Sequence, residues 1–195
     1  MIPYTYKPNE EVARWATEVY IKSNTKLGWW IAFTNPTAGP WKKIVIPIEN
    51  GGTAEIYRFV REEERPDLIL VNDKRKAVLI VEAKDYLGKL ITKAQMLKSV
   101  RVIDRISKML ATSSNSKWAH RSAYKIIPSF LWMCENKQTV AEESNSVQKA
   151  LDKYNSLKIS RDILNIVIST DEQQNLFNSF LYKGKEYGQL DFELA

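Results

Sequence analysis

The chain has 195 residues, 44% of them hydrophobic and 27% charged, which suits one folded domain spanning 1–195 and excludes a disordered or fibrous chain. Its formal net charge of +6 favours a polyanionic partner, because clustered Lys and Arg neutralise phosphates and release condensed counterions. One cysteine, Cys134, and one histidine, His120, exclude an internal disulfide framework and a zinc site built on several thiolates or imidazoles.

No apolar run approaches the roughly 20 residues of a membrane span. Met1 to Glu10 carries neither a basic leader nor an apolar signal core, so a cytoplasmic protein with no membrane partner is expected. After Pro8, the positions Val12, Trp15, Ala16, Val19 and Tyr20 recur at helical spacing with Asn9 as an N-cap. They predict an amphipathic helix from Asn9 to Ser23, with Glu11 and Glu18 at the edge of its apolar stripe. Turn formers from Thr34 to Pro40 separate two extended pieces, Trp29-Trp30-Ile31 and Ile44-Val45-Ile46. Gly51-Gly52 opens another turn before a strand from Ala54 to Val60.

Pro66 to Val71 and Ala77 to Ala83 are short runs rich in Ile, Leu and Val, joined by the polar Asn72-Asp73-Lys74-Arg75-Lys76. This is the pattern of a buried hairpin with an exposed turn. From Leu90 through Ala94, Leu97, Ile103, Ile106 and Met109 the apolar period turns helical and runs to Ala111. A polar loop from Thr112 to Ser116, a strand from Ile126 to Cys134, a polar helix from Ser144 to Leu157 and a last buried strand from Ile163 to Ser169 complete the chain. The order of helix, strands, helix, strand, helix, strand predicts an α/β fold with a central mixed sheet flanked by helices.

Glu82 and Lys84 lie two apart in a predicted strand, so a carboxylate and an ammonium leave the same face. With the hairpin centred between Lys74 and Arg75, Asp67 falls opposite Glu82. Two facing carboxylates destabilise a strand pair unless a cation joins them. Magnesium takes oxygen ligands, typically one or two carboxylates, and keeps several waters. Asp67, Glu82 and the backbone carbonyl of Ala83 are therefore candidate ligands. Such a metal polarises a phosphate and lowers the pKa of a bound water, and Lys84 would orient that water or stabilise charge developing on the phosphate oxygens. Exposed strand-end charges would account for the same residues without any chemistry, but alternate charges closing the apolar run Val78-Leu79-Ile80-Val81 are unexpected in a buried strand.

The segment Arg65-Pro66-Asp67-Leu68-Ile69-Leu70, followed by Val81-Glu82-Ala83-Lys84, resembles the PD-(D/E)xK phosphodiesterase superfamily, which includes restriction endonucleases, Holliday-junction resolvases and recombination exonucleases. The resemblance covers roughly 53–109. It implies a central sheet of about four to five strands in an αβββαβ core, with Asp67, Glu82 and Lys84 as the catalytic centre. It also implies a further acidic ligand, for which Glu55 and Glu18 are the candidates. Some exonuclease-like members carry a Gln on the next helix and a Tyr four residues later; here Gln95 is followed by Ser99, a departure that argues against an exonuclease.

Lys98, Arg101, Arg105 and Lys108 form a basic stripe on the long predicted helix, while Lys42, Lys43, Lys117 and Arg121 sit with Trp41 and Trp118 near loops. Together with the motif they are expected to face DNA, although each alone fits a solvated polar surface. The expectation is a magnesium-dependent DNA endonuclease of restriction type, a homodimer if it cuts both strands of a palindrome. A Holliday-junction or other structure-selective endonuclease, and a catalytically silent DNA-binding module, are the alternatives.

Overall fold

The computed structural model describes residues 10–34, 44–48, 52–56, 66–84, 121, 123–133, 140, 145, 148–149, 160, 162–170 and 176–194. The chain opens with helix α1, Glu10–Ser23. It buries Val12, Ala13, Ala16, Thr17 and Ile21, so the apolar stripe is rotated from the expected one: Trp15 and Val19 are 52% and 42% exposed. Two alanines and a threonine let the helix lie close to the strands, whereas Trp15 would hold it away. The buried Thr17 hydroxyl is satisfied within the helix by donating to the Ala13 carbonyl at 3.0 Å. Asn24 ends the helix, its side-chain amide donating to the Tyr20 carbonyl at 2.8 Å. A short 3-10 helix, Thr25–Leu27, then leads to Gly28 in the left-handed region, φ 77°, where a side chain is strained.

The strands are β1 (Trp29–Thr34), β2 (Ile44–Ile48), β3 (Gly52–Ile56), β4 (Leu68–Asn72), β5 (Ala77–Lys84), β6 (Lys125–Met133), β7 (Leu164–Thr170), β8 (Leu176–Tyr182) and β9 (Lys185–Tyr187). Seven form one mixed sheet in the order β1-β4-β5-β6-β7-β8-β9, and β2 and β3 form a separate antiparallel pair. β5, β6 and β7 are parallel to one another, and every other neighbouring pair is antiparallel. The general α/β class with a mixed sheet is therefore present, but the sheet has seven strands rather than four to five. The additions are β8 and β9, joined by Lys183-Gly184 with φ 51° and 73°, the paired positive values of a tight hairpin turn. The long helix expected to end at Ala111 lies outside the described residues, as does all of the expected Ser144 to Leu157 helix except the helical Asn145, Gln148 and Lys149.

Alternation along the strands assigns the two faces. Leu68, Leu70, Leu79, Val81, Ala83, Ile127, Leu131, Ile166 and Phe180 belong to one core with Val12, Ala13 and Ala16 of α1. Ile69, Val71, Val78, Ile80, Phe130, Trp132 and Val167 alternate with them and are also buried. Burial on both faces explains why the hairpin strands read as unbroken aliphatic runs.

The C-terminal segment closes the helix side. The Trp29 indole donates to the Leu190 carbonyl at 3.0 Å, the Leu190 amide donates to the Tyr20 hydroxyl at 3.1 Å, and Tyr187 stacks on Phe192 at 3.9 Å. Leu190 and Leu194 are buried in the same core.

Candidate active site

The aliphatic β4–β5 hairpin sets the register that positions the motif. Leu68 pairs with Val81, Ile69 with Ile80 and Asn72 with Ala77, the register expected from the sequence. At Asp67 the chain steps off this ladder. Its amide donates to the Val81 carbonyl at 3.0 Å, and Val81 is already the partner of Leu68. Its carboxylate Oδ2 accepts the Ala83 amide at 2.7 Å. Asp67 therefore straddles Glu82 rather than simply facing it, holding the residue before by its backbone and the residue after by its side chain.

Pro66 explains the step. In the same register it would meet Ala83, and it has no N–H with which to continue the ladder. In a strand the N–H and C=O of one residue point to the same side. The Ala83 N–H points at Asp67, so its carbonyl is directed beyond the end of β4 as well, next to the Asp67 carboxylate. Two oxygen-bearing groups thus face one notch at the strand ends, between β4 and β5.

Glu82 is 7% exposed and lies between Val81 and Ala83, both on the α1 side; its side chain leaves the opposite face. There it is level with Phe130 of β6, which is level with Asn165 of β7. Asn165 accepts from the Trp132 indole at 2.9 Å, and Phe130 and Trp132 rings lie 5.9 Å apart. The carboxylate of Glu82 thus leaves a wall of buried aromatic and amide groups. The sequence did not single out Phe130, Trp132 or Asn165, because their placement beyond Glu82 along the sheet depends on parallel pairing over long separations. Lys84 is the last residue of β5, two positions beyond Glu82, with its backbone paired to Trp132; its side chain lies outside the described residues.

All of this sits at the carboxyl ends of parallel β5 and β6, where open α/β sheets place their ligands. Glu18 reaches the same end of the sheet on the helix side. Its carboxylate accepts from the Thr34 hydroxyl at 2.6 Å and lies 3.8 Å from both Arg14 and Lys22, an occupied position on the face away from Glu82. Glu55 falls in β3, paired with Val45, and its side chain is outside the described residues. Among the described residues no group of three or more His, Cys, Asp or Glu side chains gathers to hold a metal. The motif itself offers two carboxylates and a carbonyl.

Of the residues expected to face DNA, Lys42, Lys43, Lys98, Arg101, Arg105, Lys108 and Lys117 lie outside the described residues, as does Gln95. Arg121 is placed, and it is turned inward at the other end of the sheet. Its side chain is 6% exposed and grips Asp73, with Nε to Oδ1 at 2.6 Å and Nη2 to Oδ2 at 2.9 Å. The guanidinium also lies over the Trp30 ring at 5.4 Å, so its charge serves the fold.

Among the described residues, no helix is long and apolar enough to cross a membrane. Comparison of the chain with protein-family models, with curated proteins and with solved structures returned no match.

Proposed function

We propose that the chain is a magnesium-dependent endonuclease that hydrolyses DNA phosphodiester bonds, of the PD-(D/E)xK type and acting on duplex. The observation that supports this reading most is the Asp67 step: a Pro-Asp pair just before β4 leaves the ladder so that the Asp67 carboxylate accepts the Ala83 amide, one residue beyond Glu82. A binding module has no use for two acidic residues placed on neighbouring strands at the carboxyl end of a sheet.

The donor set fits magnesium, since Asp67, Glu82 and the Ala83 carbonyl are all oxygen ligands and two carboxylates are its usual complement. When bound, the ion supplies Lewis-acid polarisation of the scissile phosphate and a water of lowered pKa. Asp67 holds its position in part through the Ala83 amide, which donates to its carboxylate. Glu82 is held by the strand, level with the buried Phe130 of β6. Lys84 has the role of orienting the attacking water and countering charge that builds on the phosphate oxygens.

The test is incubation of purified protein with supercoiled plasmid and magnesium, beside an EDTA control and the Lys84→Ala and Asp67→Ala variants. Discrete linear fragments, lost in all three controls, are the expected result. Cleavage of a four-way junction but not of linear duplex would make it structure-selective. Absence of cleavage on both substrates would leave a DNA-binding module without chemistry.

A further inference from the structure

The amino ends of β5, β6 and β7 form the end of the sheet away from Asp67 and Glu82, and strand direction collects lysines there. Lys26 precedes β1, Lys74 and Lys76 lie in the β4–β5 turn, Lys125 opens β6, and Lys183 and Lys185 flank Gly184 in the β8–β9 turn. All except the half-buried Lys125 are exposed. Neighbouring strands stand about 4.8 Å apart, so these turns make a row of positive charge along one rim of the sheet.

Acids offset part of the row at its β8–β9 end, where Asp162 lies 3.4 Å from Lys183 and the exposed Glu186 follows Lys185, so the positive charge is concentrated at Lys26, Lys74 and Lys76. Asp73 is held bidentately by Arg121. Asp191 and Glu193 are exposed; Asp191 is brought to the β4–β5 turn by the Arg75 guanidinium, which donates to the Asp191 and Phe192 carbonyls at 2.5 and 2.8 Å, so Asp191 faces a turn that carries three cations, Lys74, Arg75 and Lys76. The Lys74 to Lys76 turn therefore keeps its positive character.

We infer that this rim is a nucleic-acid-binding surface of its own, separate from the Asp67 end by the six residues from Lys76 to Glu82, about 20 Å at roughly 3.3 Å per residue. A row of charges fits an extended polyanion better than a small anion, which needs donors converging on one point. Lysines on turns act as point charges on phosphates and carry no base readout, so the contact is independent of sequence. An anionic lipid surface would call for apolar side chains among the lysines to enter the headgroup layer. The exposed large hydrophobics among the described residues are Trp15 and Val19 on α1 and Phe177 at the opposite end of β8, and none lies in the rim turns. This surface does not depend on the cleavage reading.

The test is fluorescence anisotropy with a labelled duplex in EDTA, titrated over a range of salt, comparing the wild type with the triple variant Lys26→Gln, Lys74→Gln, Lys76→Gln. The expected result is at least a tenfold loss of affinity and a salt slope smaller by about two to three, since each phosphate contact contributes about 0.9. The single variants Lys74→Gln and Lys76→Gln, each lowering the slope by about one, give the same readout if the triple variant misfolds. An unchanged affinity and slope would overturn the inference, as would wild-type protein that binds anionic phospholipid vesicles but not duplex. Plasmid cleavage with magnesium reads the Asp67 end and metal-free binding reads the rim, so the two proposals fail separately.

Discussion

Asp73 and Asp67 are aspartates at opposite ends of the same hairpin strand, and their partners set opposite expectations for substitution. Asp73 accepts from Arg121, from the Tyr124 hydroxyl at 2.9 Å and from the Trp30 indole at 3.2 Å. The Arg121 hydrogen bonds hold its carboxyl below the ordinary value of 3.8, against the opposing effect of burial. A folded value below the unfolded one means that the contribution is in place above pH 3.8 and disappears as pH falls through the lowered value. Melts of wild type and Asp73→Asn should therefore differ at neutral pH and converge in strong acid; a constant gap would refute the linkage. Asp73→Ala leaves the Arg121 charge buried beside Trp30. The expected cost is about 3 kcal/mol by urea unfolding, near the low end for a broken buried pair because Asp73 is 29% exposed. Asp67→Asn is different, since an amide oxygen still accepts the Ala83 amide while the negative charge is gone. It should melt close to wild type and, on the proposed reading, lose a hundredfold or more of plasmid cleavage; retained activity would remove Asp67 from the proposed metal site.

Elements show where sequence was sufficient. The β4–β5 register was legible because two aliphatic runs flank a short polar turn, and a one-residue slip would turn every side chain to the other face. The step at Asp67 was not, since it depends on backbone bonds that spacing does not encode. The α1 boundaries were legible but its buried face was not: hydrophobicity puts Trp15 inward, and close approach to the sheet puts Ala13 there instead. The β8–β9 hairpin escaped because Asn178 and Ser179 interrupt its apolar alternation, although Lys183-Gly184 was a usable turn signal. That turn supplies a clean test. Gly184 has φ 73° with nothing within 4 Å of an added Cβ, while Gly188 has the same open space without the positive φ. Gly184→Ala should cost about 1–2 kcal/mol through backbone strain alone, and Gly188→Ala should cost little. Equal urea midpoints would mean that the turn relaxes to another type.

At the scale of the whole molecule, the sheet separates two kinds of end. The amino ends of the parallel strands are tied down by the Asp73–Arg121 pair, by Asn72, whose amide donates to the Leu27 carbonyl at 2.9 Å, and by Arg75 on the C-terminal segment. The carboxyl ends carry Glu82 on β5 and, beside it, Asp67, where the β4–β5 ladder stops. Rigid anchorage at one end lets the other keep backbone and carboxylate groups in place for a ligand. On the proposed reading, one such centre per chain would cut one strand of a duplex, so the way plasmid is consumed would report the assembly. A two-fold dimer on a palindrome presents two centres to two strands, and should convert supercoiled plasmid to linear form with little nicked circle accumulating. A monomer should pass through nicked circles, with linear molecules appearing only after a second, independent event. Sedimentation at the cleaving concentration, run beside the time course, joins the two quantities. A monomeric species that makes concerted double-strand breaks would show that a single Asp67–Glu82 centre per chain is not the whole of the cutting machinery.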